Sequence, residues 1–178
     1  MSALSPARIR RQRTRGWRAP AGAIYVGRGS KWGNPFALRT RSGLARVPAA
    51  VNQGMAWEYE SRICAAGMQK DYVHPDGRIT ACTVRYLTPA ESVACYRSAI
   101  LGDGWPVRAY PSRHGLPSLD EIRAELAGKS LMCWCAEDQA CHADLLLAWA
   151  NGWDEPDWII TDSFELRPAQ SAKSASQT

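Results

Sequence analysis

Acidic residues are missing from the first 57 positions of this 178-residue chain. That stretch holds eleven of the 22 basic residues, Arg8, Arg10, Arg11, Arg13, Arg15, Arg18, Arg28, Lys31, Arg39, Arg41 and Arg46, for a local charge of +11. All 17 acidic residues come later, beside the other eleven basic ones, so the remainder carries −6 although the whole chain is +5. Segregation of this kind directs the N-terminal part at polyanions, nucleic acid or nucleotide phosphates among them, and leaves the rest an ordinary acidic surface. Residues 1–18 taken alone also read as a solvated basic arm.

Long apolar runs are lacking too. None approaches the roughly 20 residues needed to span a bilayer, and the Arg-rich start has no apolar stretch of the secretory type. A cytoplasmic protein with no membrane partner is the expectation. Histidine is scarce, with three in the chain, one of them His142. Cysteine is not scarce, but nothing about the six suggests an exported disulfide scaffold, and they read as reduced thiols. Cys64, Cys82 and Cys95 sit among apolar neighbours, where a cysteine behaves as a small buried hydrophobe.

The length suits one domain. Residues 1–20 alternate arginine with small residues and predict a flexible basic arm. Ala23-Ile24-Tyr25-Val26 reads as a short buried strand, followed by a loop rich in Gly, Ser, Asn and Pro. Val51, Met55, Trp57, Tyr59 and Ile63 predict a helix from Pro48 to Gly67. His74-Pro75-Asp76-Gly77 is a turn signal, and the flanking Asp71 to Val73 and Ile79 to Tyr86 read either as the arms of a hairpin or as a single strand after a turn. Thr88-Pro89-Ala90-Glu91 and Ser118-Leu119-Asp120-Glu121 are capping boxes, opening helices that stop at Gly102 and Gly128. Ser130 to Cys135 reads as a strand, and His142, Leu145, Leu146 and Trp149 keep helical spacing up to Asn151-Gly152. Trp158 to Ile160 predicts a last short strand, and the polar residues 168–178 a disordered tail. This order of elements specifies an α/β sandwich with a central, largely parallel sheet, whose ligands collect at the carboxyl ends of strands.

Two segments carry chemistry. The first is Gly27-Arg28-Gly29-Ser30-Lys31-Trp32-Gly33-Asn34-Pro35-Phe36. Its glycines permit close backbone approach, Arg28, Ser30 and Lys31 offer donors to a phosphate or carboxylate, and Trp32 offers a stacking face. The spacing is neither a dinucleotide fingerprint nor a P-loop, and an ordinary tight loop capping the core has the same composition. The second runs Cys133-Trp134-Cys135-Ala136-Glu137-Asp138-Gln139-Ala140-Cys141-His142. Cys133 and Cys135 share one face of a strand, while Cys141 and His142 open a helix whose dipole favours a thiolate. Three readings stand open. Some subset of Cys133, Cys135, Cys141 and His142 binds zinc; or Cys135 or Cys141 is a reactive thiolate beside His142; or the cysteines pack and His142 caps its helix. Both loops leave the carboxyl end of a predicted strand and so could line one crevice.

These two segments in this order, with Gly128-Lys129-Ser130-Leu131-Met132 before the second and Ala143-Asp144-Leu145-Leu146 after it, resemble the domain of unknown function family 4326, which is frequent in bacteriophages and actinobacteria. The likeness runs over about residues 23–151. Residues 38–86 stand out from it as an insertion within an α/β domain of residues 21–167. Cys135-Ala136-Glu137 followed by Cys141-His142 is similar to a signature of the unknown-function family 488, which implies a Rossmann-like three-layer sandwich with the Cys-His pair at the crevice. If phage-encoded, the protein would work in a bacterial host cell.

The function expected is binding, with or without processing, of a nucleotide, nucleoside or related phosphorylated ligand. Gly27, Arg28, Ser30, Lys31, Trp32, Gly33 and Asn34 would hold it, and Cys135, Cys141 and His142 would supply thiolate or acid/base chemistry. The alternative is a zinc-stapled accessory protein that binds nucleic acid through its basic arm.

Overall fold

The computed structural model describes residues 5–60, 64–107 and 115–159. Two sheets share the work. Strands β1 (Arg8–Arg10), β2 (Ile24–Tyr25) and β7 (Leu131–Cys133) form a parallel sheet in the order β1-β7-β2. Strands β3 (Leu44–Val47), β4 (Glu58–Glu60), β5 (Gln69–Val73) and β6 (Ile79–Tyr86) form an antiparallel sheet in the order β4-β3-β6-β5. Helices α1 (Pro89–Leu101), α2 (Leu119–Leu126) and α3 (His142–Asn151) complete the chain.

The class is mixed α/β with a parallel sheet, as expected, but that sheet has only three strands and a larger antiparallel sheet lies outside it. This departs from the large central sheet of a Rossmann-like three-layer sandwich. The reason is local. The turn at His74 to Gly77 closes a hairpin, with Val73 opposite Ile79, and hairpins produce antiparallel pairs where βαβ crossovers would have produced parallel ones.

Strand β7 is the middle of the parallel sheet because it is buried on every residue, with Leu131 fully enclosed. Leu131 is level with Arg8 on one side and Ile24 on the other. Behind the sheet, Ile122 and Leu126 of α2 meet Leu145 and Leu146 of α3 in one core with Val26, Phe36 and Tyr96. Helix α1 is buried on several faces, and the small residues Ser92, Ala94, Cys95, Ser98 and Ala99 line its buried part. Both capping boxes form as the sequence predicts, with Thr88 and Ser118 accepting from the amides of Glu91 and Glu121.

Three segments differ from expectation. Residues 8–10, read as part of a flexible arm, are a strand of the parallel sheet. The side chain of Arg8 explains it: the guanidinium donates to Asp144 at 2.7 Å and to the carbonyls of Ala136, Glu137 and Gln139. The helix predicted from Pro48 to Gly67 does not form. Glu58 and Glu60 both reach Arg46 across the sheet, at 2.8 and 2.6 Å, and the Glu58 carboxylate accepts from the amides of Ala50, Val51 and Asn52. Those amides are thus satisfied without helical bonds, and two ion pairs two residues apart impose strand alternation. Trp158 and Ile159 lie in a turn closed by the Ile159 amide on the Pro156 carbonyl. Ile160, the tail 168–178 and Ile63 lie outside the described residues.

Because Glu58 and Glu60 are only 3% and 1% exposed, truncating one leaves the partly buried Arg46 guanidinium half paired. Glu58→Ala is expected to cost about 3–5 kcal/mol, read from urea denaturation. A cost below about 1 kcal/mol, the range of exposed pairs, would contradict the account.

Candidate functional site

The pairing of β2 with β7 runs one residue past the strand, with the Val26 amide donating to the Met132 carbonyl at 2.9 Å. The loops that follow, residues 27–36 and 134–141, therefore leave the same edge of the sheet. His142 joins them. Its Nε2 lies 2.7 Å from the Val26 carbonyl, and since a carbonyl only accepts, Nε2 carries a proton. The other ring nitrogen, Nδ1, faces Cys141 Sγ at 3.9 Å.

Loop 27–36 is held from below by α1. The Tyr96 hydroxyl donates to the Trp32 carbonyl at 2.9 Å, the Ser92 hydroxyl donates to the Phe36 carbonyl at 2.7 Å, and the Asn34 amide donates to Ser92. Gly27 is required by its surroundings, since a Cβ there would collide with the Tyr25 ring. Gly33 is required too, its Cβ position lying 2.9 Å from the Gly27 carbonyl oxygen.

Between the loops lies a cleft of about 560 Å³. Of the seven ligand-binding residues expected from sequence, Gly27, Arg28 and Asn34 line it. The other four are placed elsewhere. Ser30 donates to the Gly27 carbonyl at 2.8 Å and closes the loop on itself. Lys31 turns to α2, where Glu121 and Glu125 hold it at 2.8 and 2.6 Å. Trp32 is 5% exposed and belongs to the core, and Gly33 packs against the loop backbone. Cys133, Cys135, Cys141 and His142 all line the cleft. So do Arg13, Tyr25 and Trp134, which sequence reasoning passed over. Strand alternation across Cys-Trp-Cys would turn Trp134 away from the thiols, but β7 ends at Cys133, and Trp134 lines the cleft beside them.

The three sulfurs of Cys133, Cys135 and Cys141 lie within 4.8 Å of one another, those of Cys133 and Cys135 at 3.3 Å. Hydrogen bonds from the Cys135 thiol and then the Cys141 thiol hold the Cys133 thiol well below its ordinary pKa. Cys135 and Cys141 are pushed up, chiefly by that same thiolate. Cys141 is also the N-cap of α3, its sulfur accepting from the Ala143 amide. Burial raises Asp144, against the opposing pull of Arg8.

Tetrahedral zinc with Zn–S near 2.3 Å places thiolates about 3.8 Å apart, so the triad has the span of a mononuclear site. His142 is not part of this three-atom group, although it was read as a possible fourth ligand. Cys64, Cys82 and Cys95 are buried and apart from the triad, and burial pushes the Cys95 thiol up.

Residues 9–152 match a family described as Domain of unknown function (DUF4326). The chain belongs to the DUF4326 family. No curated protein and no solved structure matches it. Both loops, the thiol triad and α1 fall within the DUF4326 region, as does the antiparallel sheet.

Tyr96 is fully buried and spends its hydroxyl on loop 27–36. Tyr96→Phe is expected to cost about 1–3 kcal/mol through the orphaned Trp32 carbonyl. Hydrogen exchange should accelerate at residues 28–34. Unchanged exchange there would show that α1 does not hold the loop.

Proposed function

We propose that this DUF4326 protein binds a nucleotide, nucleoside or related phosphorylated ligand in the cleft between its two loops. The observation that carries the reading is that loops 27–36 and 134–141, more than 90 residues apart in sequence, line one cleft. Arg28 and Arg13 are the groups for the anionic part of such a ligand, and Tyr25 and Trp134 are the aromatic surfaces for a base. Asn34 is already engaged with Ser92, so its part is to shape the wall. Cys135, Cys141 and His142 line the side where any thiolate or acid/base step on the ligand would occur. The site sits at the carboxyl ends of parallel strands, where a reduced Rossmann-like core would place it.

On the same wall, Cys133, Cys135 and Cys141 would hold a zinc ion, which would supply a Lewis acid or a structural staple. The close set of three sulfurs, all within 4.8 Å of one another, supports this. A reducing cytoplasm would keep such thiols available. Among the described residues, no helix is long and apolar enough to cross a membrane.

Calorimetric titration with adenosine, guanosine, cytidine and uridine monophosphates tests the ligand reading. At least one should bind, and Arg28→Ala or Trp134→Ala should weaken it about tenfold or more, the worth of one charge-assisted or stacking contact. Absence of binding, or binding indifferent to both substitutions, would end it. Elemental analysis of protein purified without added metal tests the zinc. About one zinc per chain is expected, as for a mononuclear site, with loss of metal in Cys133→Ser. Metal-free protein whose melting is unchanged by a chelator would remove the zinc.

A further inference from the structure

A second cavity, of about 630 Å³, opens beside the first. Arg10, Arg11, Arg13, Trp134 and Glu137 are among its lining residues. Arg13 and Trp134 also line the first cleft. The two spaces therefore adjoin around the Trp134 indole, which is 40% exposed.

The charge along these walls is lopsided. Arg10, Arg11, Arg13 and Arg28 face the two cavities, and the one carboxylate among their lining residues is that of Glu137. The arginines are also held in place. The Arg11 guanidinium lies 4.9 Å from the Tyr25 ring centre and 5.0 Å from that of Trp134, and Arg13 lies 5.1 Å from Trp134. Cation–π contacts at this range are favourable, yet they gather like charges round one indole. Strand β1 adds to this, because Arg8 anchors it inward on Asp144 and leaves Arg10 exposed at its end. Such an arrangement is relieved by an occupant that brings several negative charges in a row.

A mononucleotide occupies one cavity and leaves the other's arginines unmatched. A phosphodiester chain matches both. Arginines interleaved with aromatic rings are the surface that single strands use, the cations following the backbone and the rings meeting the bases. A base paired and stacked in a duplex has its faces and pairing edge covered and does not reach into a side cleft of about 560 Å³, whereas an unpaired one does.

We infer that the ligand of the cleft is a nucleotide within single-stranded nucleic acid. Its backbone runs along Arg10, Arg11 and Arg13, past Trp134, and its end or an unstacked nucleotide enters beside the thiol triad. This rests on the nucleotide reading of the cleft and specifies the ligand class.

Fluorescence anisotropy with labelled single strands of about 10 nucleotides, DNA and RNA, within the usual range of site sizes, tests it. The full chain should bind one of them at least tenfold more tightly than any mononucleotide, and more tightly than the matching duplex. Between about 50 and 200 mM salt, log K against log salt should fall with a slope near −2, the value for about three phosphates on a single strand. The Arg10→Gln, Arg13→Gln double variant keeps Arg8 and Arg11 and should fold. It should flatten the slope by about 1.4, for two phosphates lost. A mononucleotide that binds as tightly as the strand, or a slope unchanged in the double variant, overturns the path and leaves the cleft reading standing. A strand that binds without competing against a bound mononucleotide also overturns it. Failure of strand and mononucleotide alike overturns both readings. Equal affinity for duplex removes the single-strand assignment.

Discussion

One hydrogen bond decides whether this protein has a site at all: His142 Nε2 to the carbonyl of Val26. It ties the first residue of α3 to the last buried residue before loop 27–36, across 116 positions of sequence. Both partners are buried, with Val26 fully enclosed, so the bond is out of reach of water and leaving either group unpaired would be costly. It also keeps a proton on Nε2 and aims Nδ1 at Cys141. The bond gains its leverage from β7, which carries both β1 and β2 and delivers Cys133 to the same edge. From the other side Arg8 ties down the turn between Cys135 and Cys141 by its carbonyls. The thiols are thus assembled by three anchors, none of which is itself a cysteine.

Much of this frame was legible because short-range chemistry wrote it. The capping boxes at Thr88 and Ser118, the hairpin turn at His74 to Gly77 and the stop at Gly152 each depend on residues within a few positions, and all formed as read. The convergence of the two loops was legible for a similar reason, since ligands gather at the carboxyl ends of parallel strands. The tasks inside loop 27–36 were not. Lys31 has a phosphate binder's chemistry, but its carboxylate partners sit on α2, about 90 positions on, and no local pattern announces them. Trp32 has a stacking face, but its ring is core. The helix expected at residues 48–67 failed on long-range grounds as well, because the pull of Arg46 on Glu58 and Glu60 outweighed an apolar spacing of four.

The N-terminal charge changes its meaning between sequence and structure. Read along the chain, eleven cations without an acid point at polyanions, and residues 1–18 alone read as a solvated arm. In space, Arg8 is a structural cation, Arg46 is paired within the antiparallel sheet, Lys31 is paired on α2, and Arg10, Arg11, Arg13 and Arg28 stand round two adjoining cavities. The segregation is therefore divided between cations that hold the fold and cations that face the cavities. The cysteines divide the same way: Cys64, Cys82 and Cys95 fill buried sites apart from the triad, whereas Cys133, Cys135 and Cys141 cluster at the wall of the cleft.

Amide chemical-shift mapping of the full chain, titrated with a nucleoside monophosphate, addresses the central claim that the two loops form one binding cleft. The account predicts shifts clustered at residues 27–29, 134–135 and 141–142, both loops moving together along a single saturation curve. Shifts confined to the antiparallel sheet of residues 44–86, or to one loop without the other, would contradict it.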